Sequence, residues 1–148
     1  MDAHADIARV IDYYNAISPR GAWPGLNLFD PLSDDIPDDI ADRMMLVEVT
    51  RRPWTFNTRY AGPYIEDVAG EHLKGREFAD RLKGENRLQV ERNLIDVVRK
   101  GQPTWRRGLP LIRPELRDIE LERIMLPLSL SGDSVDLILS VTMHHEIK

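Results

Sequence analysis

The chain contains no cysteine. Disulfides, thiolate nucleophiles and zinc sites built on cysteine are therefore excluded. No apolar run approaches the roughly 20 residues that span a bilayer, so membrane insertion is not expected. The opening MDAHADIARV carries acids and no basic segment ahead of an apolar one, unlike a secretory signal peptide; the expected location is the cytoplasm. Basic charge is in deficit, with 20 Lys and Arg against 25 Asp and Glu and a net charge of −5. An acidic chain gains little from a phosphate backbone, so nucleic acid is not an expected partner. No Gly-x-Ser-x-Gly element, glycine-rich phosphate loop or His-Glu-x-x-His pair occurs, which argues against an enzyme.

What is present is a globular composition: 148 residues, 42% hydrophobic and 30% charged. A chain of this size can bury roughly two-thirds of its unfolded surface. With no internal repeat or low-complexity linker, one domain over 1–148 is expected.

Residues 3–17 place Ile7, Val10, Ile11, Tyr14 and Ile17 at helical spacing, and the stretch ends at Ser18-Pro19. The N-terminal amphipathic helix thus belongs to 1–20. Residues 21–37, with three prolines and two glycines, read as a loop. DDIADR (38–43) reads as a helical turn and MMLVEVT (44–50) as a strand, with a turn at Arg51-Arg52-Pro53. WTFNTRYA (54–61) alternates, which puts Trp54, Phe56, Thr58 and Tyr60 on one strand face. Residues 63–82, broken by Gly70 and Gly75, suggest short helical pieces. Residues 85–100 form the clearest helix, with Leu88, Leu94, Ile95, Val97 and Val98 as its stripe. Arg99 and Lys100 suit its negative end, and Gly101 suits a left-handed cap. Strands are expected over 104–112, 119–130 and 135–143, the last two joined by the turn Ser131-Gly132-Asp133-Ser134. Pro127 demands an edge or a bulge. The order predicts an α+β fold with a five-stranded antiparallel sheet, a helical crossover on one face and a core over 44–143.

This order is the PAS plan, and residue-level motifs sharpen the likeness. They run from Phe29-Asp30-Pro31 and Met45-Leu46-Val47-Glu48-Val49 to Arg59-Tyr60-Ala61-Gly62. Gly70-Glu71-His72-Leu73-Lys74-Gly75-Arg76 follows. Glu122-Arg123-Ile124-Met125-Leu126-Pro127-Leu128-Ser129 and Val135-Asp136-Leu137-Ile138-Leu139 complete the set. Over about residues 10–143 the chain resembles the compact, stand-alone PAS-like domains common in alphaproteobacteria. It departs from them at Pro63, where a small polar residue is usual, and at 21–24, where a more basic segment is usual.

The resemblance implies a signalling sensor that acts through a ligand or a partner protein, not by catalysis. Without cysteine, neither covalent flavin photochemistry nor a thioester-bound cinnamoyl chromophore is available. A haem would need an axial ligand, for which His72 is the one candidate; a solvated or hydrogen-bonded histidine is the preferred reading. His144 and His145 point to opposite strand faces and make a poor chelating pair. Asp34-Asp35 and Asp38-Asp39 lack the spacing of a calcium loop and read as solvated or capping residues.

Arginines on strands are more informative. Arg59 and Arg123 either pair with a carboxylate or anchor an anionic ligand through the bidentate guanidinium fork. Glu48, Glu122 and Asp136 are the candidate pairing carboxylates, with Glu122 and Asp136 taken as structural ion-pair members. Tyr60 and Tyr64, with Trp54, are candidate pocket walls. Ile124, Leu126, Leu128 and Leu130 share one face, opposite Leu121, Arg123 and Met125. Both sheet faces therefore need cover; the N-terminal helix can supply it, in its own chain or swapped with a second subunit, and a homodimer built on this helix and the exposed sheet face is expected. With no room in 148 residues for an output module, a separate signalling partner is expected too. The alternatives are an interaction module with a filled core, or a cone-shaped α+β enzyme with Asp136 as its acid–base residue.

Overall fold

The computed structural model describes residues 4–18, 23–26, 36–80, 82–111, 113 and 115–146. Ser18 is the C-cap of the first helix, while Pro19, Gly21, Phe29-Asp30-Pro31, Asp34-Asp35 and Ile112 lie outside the described residues.

The elements are α1 (Ala5–Ile17), α2 (Asp38–Ala41), β1 (Met44–Thr50), β2 (Thr55–Ala61), α3 (Pro63–Ala69), α4 (Gly84–Lys100), β3 (Thr104–Gly108), β4 (Ile119–Leu128) and β5 (Leu137–Glu146). The strands form one antiparallel sheet in the order β2-β1-β5-β4-β3. This is the expected α+β architecture, with 63–82 less helical than its composition suggests. Among the described residues there, α3 is the one helix; residues 75–78 instead run beside β2 and bond to it, Phe78 donating to the Phe56 carbonyl. That segment closes one sheet edge.

The sheet separates two cores. On its inner face Met45, Val47, Val49, Phe56, Met125 and Ile138 pack beneath α3 and α4. From α4 come Val90, Leu94, Val97 and Val98, whereas Leu88 is exposed and leaves the predicted stripe. Gly101 caps α4 in the left-handed region (φ 63°), as its position predicted. The Trp23 ring packs against this glycine and its indole N–H donates to the Gly101 carbonyl.

On the outer face Met44, Leu46, Ile124, Leu126, Leu128, Leu137, Leu139 and Val141 pack beneath α1, which contributes Ile7 and Tyr14. The Tyr14 hydroxyl donates to the Pro127 carbonyl at 2.7 Å; burial pushes its pKa up to about 12. The helix therefore covers this face within its own chain, one of the two arrangements open to it.

Two facial assignments change for local reasons. Leu130 lies past the end of β4 and is 57% exposed. In β2 the register shifts between Leu46 and Val47, so that Tyr60 opposes Leu46 and Thr58 opposes Val47. This bulge inserts one residue and reverses the alternation. Phe56 stays in the inner core while Tyr60 joins the outer one. Pro127 falls beyond the last β3 pair, at Met125, where β4 is flanked by β5 alone and tolerates a missing donor.

The Arg59-Tyr60-Ala61-Gly62 element has a steric reason at its last residue. A Cβ on Gly62 would lie 2.2 Å from the Asp42 carbonyl oxygen. The φ there is −66°, which any residue adopts, so only contact forbids a side chain. Gly62→Ala is expected to cost about 1–3 kcal/mol by forcing backbone displacement. Urea denaturation checks this, and wild-type stability would show that the approach is not tight.

Candidate functional site

Between the inner sheet face and α3 and α4 lies a partly open cavity of about 70 Å³. That is enough for ordered water or a very small molecule, and well below the roughly 300 Å³ at which drug-sized ligand pockets begin. Ile65 and Val68 of α3 and Val90 of α4 supply apolar wall, with Met45, Leu121 and Met125 from the sheet. The polar wall consists of Asn93 on α4 and Arg106, Arg123, Ser140 and Thr142 on the strands.

The polar wall follows from register. Arg106 on β3 stands directly opposite Arg123 on β4, and Arg123 opposite Thr142 on β5. All three side chains share the inner face. Arg123 donates to the Thr104 hydroxyl at 3.2 Å, and Arg106 to the Leu109 carbonyl at 3.3 Å. Burial, reinforced by the Arg106 charge, pushes the Arg123 pKa down to about 10, and burial lowers that of Arg106 as well. Both remain cationic near neutral pH. Among the described residues, neither has a carboxylate within ion-pair distance.

Of the four residues singled out as ligand contacts, only Arg123 reaches this cavity. Arg59 is half exposed on β2, 3.8 Å from the Glu48 carboxylate. Tyr60, turned outward by the bulge, donates to the Ala41 carbonyl. Tyr64 on α3 sits between the Arg43 guanidinium, 4.1 Å from its ring centroid, and the His144 ring at 5.5 Å. Trp54 stacks on Phe56. Arg106, Asn93, Ser140 and Thr142 had not been anticipated. Strand alternation could place Arg106 on one face, but only the β3–β4 register brings it beside Arg123.

Of the two ion-pair candidates, Glu122 stands beside the His145 ring rather than an arginine, and Asp136 is met by hydrogen-bond donors. Glu122 points to the outer face and is fully enclosed. It accepts the His4 backbone N–H at 2.7 Å and the Trp105 indole N–H at 2.9 Å, and lies 2.9 Å from the His145 ring nitrogen. Burial favours its neutral form, but these partners outweigh burial and hold its pKa below the ordinary value. Asp136 accepts from the Leu130 N–H and the Ser134 hydroxyl, organising the turn between β4 and β5. Its pKa is likewise lowered, against the pull of burial. Asp136 thus lies in a turn and does not line the cavity.

His72, the one candidate haem ligand, is 97% exposed beside Glu66 and lies outside the cavity. Among the described residues no group of three His, Asp or Glu is placed to hold a metal. No described helix is long and apolar enough to cross a membrane.

A family model described as PAS domain matches residues 4–143. No curated protein matches the chain.

Proposed function

Since the chain belongs to the PAS domain family, a family of signalling and sensing domains, we propose that it is a cytoplasmic sensor that takes a small ligand into the cavity between the sheet and α3 and α4. It then reports to a partner protein. The observation that carries this reading is Arg123, a half-buried cation at the cavity wall whose hydrogen-bond acceptor is the neutral Thr104 hydroxyl. A core that served packing alone would place an apolar side chain there, since an unpaired buried charge is costly. The ligand is small and anionic, and no catalytic step is involved. The unit functions as one domain and as a homodimer. Because α1 already covers the outer sheet face, the dimer contact involves the solvent side of α1, where Tyr13 is exposed.

Native mass spectrometry of freshly purified protein tests this directly. The expected spectrum shows a small-molecule adduct on the chain and a dimeric species in dilute solution. A bare chain, together with no thermal stabilisation by any small molecule, would sink the sensor reading. A monomer alone would sink the dimer.

One observation favours a second reading, an interaction module with a filled core. The cavity is small, and Phe56 and Met125 already fill much of the inner face. The bare-chain outcome is the one that reading expects.

A further inference from the structure

The pair Arg106 and Arg123 is an unusual use of charge. Like charges directly opposite each other on neighbouring strands repel, and these two stand in one cross-strand pair on the inner face. Four arginines at the surface pair with carboxylates, Arg76 with Glu71, Arg87 with Glu91, Arg107 with Glu120 and Arg113 with Glu115, whereas Arg43 lies over the Tyr64 ring and Arg51 donates to the Val135 carbonyl. At the cavity wall, among the described residues, the two guanidiniums donate to the Thr104 hydroxyl and the Leu109 carbonyl. Arg123 and Arg106 are both half-buried; two cations side by side with neutral acceptors only, among the described residues, leave a place for an anion.

The remaining walls limit which anion. Beyond the sheet's polar row, Ile65, Val68, Val90 and Met125 are apolar and offer no donors, and Asn93 is the single polar side chain on the helical side. A tetrahedral phosphate or sulfate needs donors on every side and would lose hydration against these walls uncompensated. A carboxylate presents its two oxygens to guanidinium forks on one side and nothing polar on the other. Size sets the tail. An apolar cavity of about 150 Å³ holds a six-carbon ring, and this one is about 70 Å³.

We infer that the cavity binds a short aliphatic monocarboxylate, of roughly two to four carbons by that volume comparison, with its carboxylate between Arg106 and Arg123 and its tail against Ile65 and Val90. This rests on the proposal that the cavity is a ligand site. Thr142, next along the row, supplies a hydroxyl on the same side.

Amide NMR spectra of the full chain, titrated at constant ionic strength with sodium propionate, its neutral isostere propionamide and sodium sulfate, test the assignment. Propionate is expected to move the amides around Arg106, Arg123 and Thr142 saturably, with the other two compounds inert there. Arg123→Gln should weaken propionate binding about tenfold or more, as loss of a charged hydrogen-bonding partner does. If that variant does not fold, Arg106→Gln carries the same expectation. Equal shifts from propionamide would overturn anion recognition while leaving a ligand cavity. Equal shifts from sulfate, or unchanged affinity in the folded variant, would overturn the carboxylate assignment. No saturable shift from any of the three would overturn this inference, and the cavity-ligand proposal falls with it only if native mass spectrometry also shows a bare chain.

Discussion

Replacing Glu122 by alanine is expected to destabilise the protein by about 2–4 kcal/mol, because an enclosed carboxylate with several partners is removed and those partners remain. The His4 N–H, the Trp105 indole and the His145 ring all converge on it. For a domain of this length the loss corresponds to a fall of roughly 5–15 °C in Tm. The damage should concentrate at the start of α1, since His4 is its N-cap residue. Hydrogen exchange of the α1 amides should therefore accelerate more than that of β1. A variant as stable as wild type, or one whose α1 protection is unchanged, would refute the role given to Glu122. Glu122→Gln keeps an acceptor and should lose less. Acid has a related effect. A pKa held below the ordinary 4.5 means that the folded state binds the proton more weakly than the unfolded state. The stabilisation is fully present above 4.5 and is lost as pH falls through the lowered folded value. The stability gap between wild type and Glu122→Gln should narrow on acidification below pH 4.5.

Leu126→Ala is expected to cost about 2–5 kcal/mol, the range for emptying a buried leucine site. Leu126 has no solvent exposure and lies in the core beneath α1. Such a loss is a large share of the 5–15 kcal/mol that holds a typical domain together. Leu88→Ala, on the exposed side of α4, should stay within about 0.5 kcal/mol of wild type. Chemical denaturation of the two variants side by side checks the contrast. Similar losses in both would mean that the face beneath α1 is not packed as described.

Elements governed by local pattern were legible in the sequence. The helical spacing of Ile7 and Tyr14 marked α1, and Gly101 marked the end of α4, because each signal lies within a few residues of its effect. Gly62 was visible as part of a motif, but its cause, the Asp42 carbonyl, lies twenty residues earlier in the chain. The site was less legible for the same reason. One extra residue in β2 reverses the face of Tyr60, and alternation cannot reveal a bulge. Arg106 became a neighbour of Arg123 only through pairing of β3 with β4. Glu122 looked like the partner of an arginine because arginine is the common mate of a buried carboxylate. Its actual partners come from the N-terminus, from β3 and from the far end of β5.

Glu122 and Arg123 are consecutive residues of β4, and a strand sends consecutive side chains through opposite sides of the sheet. One holds the beginning of α1; the other lines the cavity. The two faces, otherwise insulated from each other by a full layer of backbone, are thus separated at this point by a single peptide unit.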